Sequence, residues 1–298
     1  WSRESALSFL DHPPMIAWFI RFGTAILGDT TLGVRLGGIV AMAVTQLLLA
    51  DIVRRLTRDA RAAALAVLLP EAAVYYGLLM AKVAPDTALI PFALAMVWSL
   101  LRVAETDDGR WWLLAGMFGG LALLSKLTAL LLLPAVAAFV VVPDWRRRWL
   151  LSPYPWLAVL IALAVFSPVL IWNAAHDWAS FRFQSVRAAV APPLSLARFG
   201  EFLGLQFALV GPVLLPVTLS GVGFLLWRGL RRRDGVAILL SSAVALPFGY
   251  FLWRSLRLRI GDTWPMFMWP IGFAAVAVNL WWLRLHESRL AKSTAFWA

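Results

Sequence analysis

The stretch FLDHPPMIAW, residues 9–18, sets an acid, an imidazole and two prolines in a chain made largely of Ala, Leu and Val. Asp11 and His12 open a small set of side chains able to move a proton or hold an anion. The others are Lys82 and Asp86 in KVAPD, Lys126 after Ser125, Asn173, His176 and Asp177 in one polar segment, and Arg254, Arg257, Arg259 and Asp262 in another. Each also has an ordinary reading. Asp86 follows Pro85 at the head of an apolar run, where a carboxylate caps a helix and meets the positive end of its dipole. Lys126 fits a snorkelling or turn-closing role, and His176 and Asp177 fit a solvated loop. The prolines fit the first turn of a helix, a reading that leaves Asp11 and His12 unexplained.

The elements that must position these groups follow from composition. Of 298 residues, 61% are hydrophobic and only 14% charged, and 17 are Trp, which is far too apolar for a soluble domain. Apolar runs at 32–53, 62–81, 87–103, 111–125, 127–142, 154–172, 199–227, 236–253 and 264–283 predict about nine spans of an all-α, polytopic transmembrane bundle forming a single domain. Residues 1–31 and 173–198 then read as external loops, with short interfacial helices. Spans one to five occupy 32–142, and spans six to nine lie within 154–298. The run 111–142 is short for two crossings and reads as a pair turning near Ser125-Lys126 or as a re-entrant hairpin. The run 199–227 contains Gly211-Pro212 and Pro216 and predicts a tilted or kinked helix. The small residues of GMFGG, 116–120, suit close helix packing rather than a nucleotide loop.

Charge gives the orientation. The clusters RRLTRDAR, DWRRRW and RGLRRRD fall at alternate loops and read as cytoplasmic, beside anionic lipid. The net charge of +11 therefore reflects topology and implies no nucleic-acid partner. With no Cys, disulfides, thiolate metal sites and a Cys nucleophile are excluded. The unexplained polar residues collect on the opposite, external side, and ionisable groups at membrane depth tend to face a cavity or a partner. A site at the external rim of the bundle follows. Such a rim argues against a transporter or lipid flippase, whose charges would line a path through the bundle. A non-catalytic assembly protein stays open as another class. No Walker loop, GxSxG elbow or HExxH motif competes.

Five blocks carry a family likeness in order: DHPPMIAWFIRFGTAILGDTTLGVRLGGIV (11–40), KVAPDTALIPFALA (82–95), WWLLAGMFGGLALLSKLTALLLLPA (111–135), PVLIWNAAHDWASFRFQ (168–184) and IGDTWPMFMWP (260–270). Together they resemble the GT-C glycosyltransferases that use polyprenyl-phosphate sugars, the group of protein O-mannosyltransferases and of the bacterial aminoarabinose transferase acting on lipid A. The resemblance implies a membrane enzyme of the bacterial inner membrane. It would move a sugar from a polyprenyl-phosphate carrier to an acceptor hydroxyl of a glycan, lipid or protein at the periplasmic face. It further implies Asp11 and Asp86 as catalytic acids and His12 near the donor phosphate; Lys82, Lys126, Arg254 and Arg257 are candidates to bind that phosphate, Arg by bidentate donors and Lys as a point charge. Asp11 and His176 would be possible ligands of a divalent metal ion, with no other cofactor implied. Family members begin with a helix ending in an Asp-Glu-like motif whose Asp is the main base. Nothing before Trp1 supplies it, so the chain reads as N-terminally truncated, lacking that first span.

Overall fold

A computed structural model describes residues 2–4, 6–189 and 192–295. Trp1, and residues 190–191 of the predicted external loop, lie outside the described residues. All regular structure among the described residues is helical, in fourteen α-helices with two 3-10 segments.

Helix α1 (Met15–Leu27) begins directly after Pro14, whose carbonyl accepts the amide of Trp18 at 3.1 Å, so the two prolines do set a helix start. It packs along α2 (Thr31–Thr57), whose first turn is capped by the Thr30 hydroxyl accepting from Gly33 N at 3.0 Å. The run 62–81 is two helices, α3 (Ala60–Glu71), capped by Asp59, and α4 (Val74–Lys82). Between them the amides of Ala72 and Ala73 turn back to Leu69 and Pro70 in tight 3-10 bonds. Helix α5 (Pro85–Thr106) is buried along most of its length, between α2 and α6 (Arg110–Ser125).

Lys126 adopts an extended backbone, which stops α6; a 3-10 segment, Leu127–Leu132, then leads into α7 (Leu133–Val141). A break in the helix therefore falls at Ser125-Lys126, where the sequence predicts the turn of a paired crossing or a re-entrant hairpin. A short α8 (Arg146–Leu151) precedes α9 (Pro153–Ala175), and α10 (Ala179–Ala189) follows the turn at His176-Asp177-Trp178. Helices α11 (Leu196–Val210) and α12 (Leu214–Arg232) replace the single kinked helix expected at 199–227. They bend by 100° at Gly211-Pro212, where Gly211 takes φ +116° and Pro212 has no amide to continue the ladder. Helix α13 (Gly235–Ser255) is capped by Asp234, and α14 (Trp269–Ala295) follows a 3-10 turn at Met266–Met268.

Five helical segments are long and apolar enough to cross a bilayer: α2, α5, α9, α13 and Met266–Arg284. The bent pair α11–α12 would make a sixth. The runs at 62–81, 111–125 and 127–142 are built from shorter pieces, because Pro70, Lys126 and the 3-10 segment each interrupt the α-helical ladder.

The GMFGG element packs as its composition suggests. A Cβ on Gly116 would sit 2.2 Å from Ala158 O, and one on Gly120 2.7 Å from Val165 Cβ, so α6 and α9 approach backbone to backbone.

Candidate functional site

One end of the bundle gathers the loop before α1, the break at Lys126, α10, the end of α13 and the segment joining α13 to α14. Between them lies a polar cavity of about 550 Å³, a volume suited to a small ligand or the head of a larger one. Asp11, His12, Lys126, Arg254 and Arg259, all picked out in the sequence, line it together with Gln184, Arg187, Tyr250 and Trp264.

Lys126 is the most constrained of these groups. Its Nζ donates to both carboxylate oxygens of Asp86 at 2.8 Å, and the pair is almost sealed, with side-chain exposures of 9% and 2%. Asp86 sits in the first turn of α5, so the capping position and the pairing hold together. It lies behind Lys126 and is absent from the cavity lining. Lys126 also stands 5.8 Å from the centre of the Trp264 ring, and Arg187 5.9 Å from the same ring, both within cation–π range.

The remaining charges differ in what they face. Arg259 Nε pairs with Glu201 at 2.8 Å. Arg187 and Arg254 have no carboxylate partner among the described residues and rest on aromatic rings, Arg187 on Phe183 and Trp264, Arg254 on Trp253. Gln184 donates to the backbone carbonyl of Asp11 at 2.8 Å, tying α10 to the loop before α1. His12 is half-buried; that burial, and next the Lys126 cation, hold its imidazole below the ordinary value of 6.5. His12 is therefore neutral at physiological pH. The outcome is a cavity with one carboxylate, Asp11, and an excess of cations, two of them uncommitted.

The other sequence candidates lie elsewhere. Lys82 reaches Asp262 at 3.6 Å on the exposed surface. Arg257 donates to the carbonyl of Pro192 at 3.1 Å, and its own carbonyl accepts from Arg198 at 2.7 Å, so it ties loops together. His176 is exposed, stacked on Trp172 with ring centres 4.1 Å apart, and its Nδ1 meets Trp172 O at 2.7 Å. Asn173 is wholly buried and structural: its Oδ1 accepts the amides of Ser180 and Phe181, starting α10. Among the described residues no group of three or more imidazole or carboxylate side chains is gathered to hold a metal ion. Asp11 and His176 alone do not match the three or four ligands a protein-bound ion takes. Sequence reasoning passed over Arg187, Gln184 and Tyr250 as site residues, and only the TWP block pointed towards Trp264.

Residues 11–172 match the dolichyl-phosphate-mannose-protein mannosyltransferase family. An undecaprenyl phosphate-alpha-4-amino-4-deoxy-L-arabinose arabinosyl transferase of Pseudomonas aeruginosa is 32% identical over 186 residues, covering 59% of this chain and 33% of that protein. The lipid A galacturonosyltransferase RgtD of Rhizobium johnstonii is 27% identical over 254 residues, 83% of this chain and 52% of the relative. The fold is that of ArnT from Cupriavidus metallidurans, crystallised with undecaprenyl phosphate: TM-score 0.69 at 19% identity, covering 91% of this chain and 50% of that one. The chain thus spans about half, or less, of the length of the proteins it matches.

Proposed function

The chain belongs to the dolichyl-phosphate-mannose-protein mannosyltransferase family, and from that premise we propose that it is the core of a membrane glycosyltransferase. It takes a sugar from a polyprenyl-phosphate carrier, as the name of the arabinosyl transferase relative suggests, and passes it to an acceptor hydroxyl, with lipid A the acceptor class favoured by the name of RgtD. The observation that carries this reading is the cavity in which Arg187 and Arg254, free of carboxylate partners among the described residues, stand beside Lys126.

The chemistry required is a displacement at the anomeric carbon. The bond from that carbon to the carrier phosphate oxygen breaks, a bond to the acceptor oxygen forms, and the acceptor proton passes to a carboxylate. A phosphodiester thereby becomes a phosphomonoester and gains negative charge, which guanidinium and ammonium groups stabilise as it builds. We assign that task to Arg254, Arg187 and Lys126. Asp86, held by two bonds to Lys126, positions the ammonium rather than taking the acceptor proton. Among the described residues Asp11 is the one carboxylate that lines the cavity, and we assign it to face the reacting groups.

The carrier tail needs an apolar path. The 3-10 segment after Lys126 offers one, because Leu127 and Thr128 line the polar cavity while Ala129, Leu130 and Leu132 line an apolar cavity of about 360 Å³ between α5, α6, α7 and α9. We place the first isoprenoid units there. The arginine clusters at 54–61, 146–148 and 228–233 support a cytoplasmic location for the opposite end of the bundle. The polar cavity then opens to the periplasm from a bacterial inner membrane. The short pieces α3–α4, α6, the 3-10 segment with α7, and α11–α12 would complete nine crossings.

The test is sugar transfer from an undecaprenyl-phosphate-linked donor to lipid A by the intact protein, followed by mass spectrometry. Loss of transfer in Asp11→Asn and Arg254→Ala at matched expression supports the assignment. Unchanged transfer in both sinks it.

A further inference from the structure

Trp264 sits where two cations of the cavity meet one ring, yet it belongs to an irregular segment between α13 and α14, residues 256–268. Something must hold its indole in register. Two neighbouring tyrosines of α4 reach across to that segment, one on each side of Trp264. The Tyr75 hydroxyl donates to the carbonyl of Asp262, and the Tyr76 hydroxyl to the carbonyl of Met266 at 3.1 Å. Both side chains are almost completely buried.

The direction of the Tyr75 bond is set by a third residue. Gln206 of α11, fully buried, donates its side-chain amide to the Tyr75 oxygen at 3.0 Å, so the single hydroxyl proton of Tyr75 is left for the Asp262 carbonyl. Around the two anchored carbonyls the backbone turns tightly, with Trp264 N donating to Gly261 O at 3.2 Å and Met266 N to Thr263 O at 3.1 Å. The indole lies flat on this turn: a Cβ at position 261 would stand 2.7 Å from Trp264 Nε1, so only glycine leaves room for the ring.

We propose that Tyr75, oriented by Gln206, and Tyr76 are positioning residues that hold Trp264 between Lys126 and Arg187. They thereby fix the spacing of the cations that receive the carrier phosphate. The link to phosphate rests on the donor reading above; the anchoring of Trp264 does not. Neither tyrosine touches the cavity, so each acts only through the segment it holds.

Two measurements on the full chain separate these claims. The sequence has no cysteine, so a single Thr263→Cys carries a nitroxide label beside Trp264. In Tyr75→Phe/Tyr76→Phe we expect a clear gain in label mobility with overall helicity kept; a label as immobile as in the parent overturns the clamp. Undecaprenyl phosphate is the binding probe for the second. We expect the tyrosine pair substitution to weaken its binding about tenfold. Trp264→Ala should do the same, and the two changes combined should cost no more than either alone. Fully additive losses, or binding equal to the parent, overturn the positioning role. If the parent chain itself fails to bind the lipid, the donor reading fails while the label still judges the clamp.

Discussion

The two ends of the bundle carry ion pairs of the same chemical type in opposite settings. At one end Lys126 and Asp86 are joined by two 2.8 Å bonds at side-chain exposures of 9% and 2%. At the other, Arg148–Asp107 and Arg233–Asp144 stand in the open, the first pair at 54% and 57% exposure. Water screens the exposed pairs and makes each partner dispensable. The buried pair has no such relief, since removing one member strands a charge in a medium that cannot solvate it. Charge at the exposed end serves orientation in the bilayer, whereas charge at the buried end is committed to a fixed geometry, as a site demands.

The largest effect expected from this contrast is at the buried pair. Lys126→Ala or Asp86→Ala should cost about 3–5 kcal/mol of stability, read as a large fall in thermal midpoint in detergent. Asp86→Leu/Lys126→Met should recover most of that loss while leaving lipid-phosphate binding impaired. A double variant no more stable than the singles would break the contrast.

A smaller effect, with a defined sign, is expected at His12. Burial and Lys126 lower its folded-state value beneath 6.5, so as pH falls through 6.5 the unfolded chain takes up this proton before the folded one does. His12 therefore costs no stability above that pH, and stability declines between 6.5 and the lower folded value. His12→Gln should flatten this part of a thermal midpoint profile taken from about pH 7.5 to about pH 5. An unchanged slope would show that another group is responsible. The smallest effect belongs to the exposed end, where Arg148→Ala should change stability by no more than about 1 kcal/mol; a larger loss would erase the distinction between the two ends.

Much of this architecture is legible in the sequence, for local reasons. Apolar runs, the prolines before α1 and the glycines of α6 act within a turn or two of chain. The breaks are less legible: Pro70-Glu71 divides an apolar run without altering its hydropathy, and Gly211-Pro212 announces a kink but not a bend of 100°. In the site, Asp11, His12, Lys126 and Arg254 stand out because each polar side chain interrupts apolar surroundings. Lys82 and Arg257 interrupt it equally, yet they turn to Asp262 and to the Pro192 carbonyl. Which way a loop cation faces is decided by partners more than sixty residues away, and no local pattern encodes that. Arg187 and Tyr250 escape sequence reading for the same reason: only the folded chain brings them to the lining of one cavity, and neither lies in a motif. For Asp86 the sequence reading as a first-turn acid holds, while its buried pairing with Lys126, forty residues away, is written in no local pattern.

The central claim, that the cavity of Lys126, Arg187 and Arg254 receives the phosphate of a polyprenyl carrier, is tested most directly by binding of undecaprenyl phosphate to the purified chain. We expect binding that weakens with salt, and a loss of roughly a hundredfold in Arg187→Ala/Arg254→Ala with thermal stability unchanged, since each charged hydrogen bond lost is worth more than a neutral one. Equal affinity in the parent and the double variant would contradict the claim.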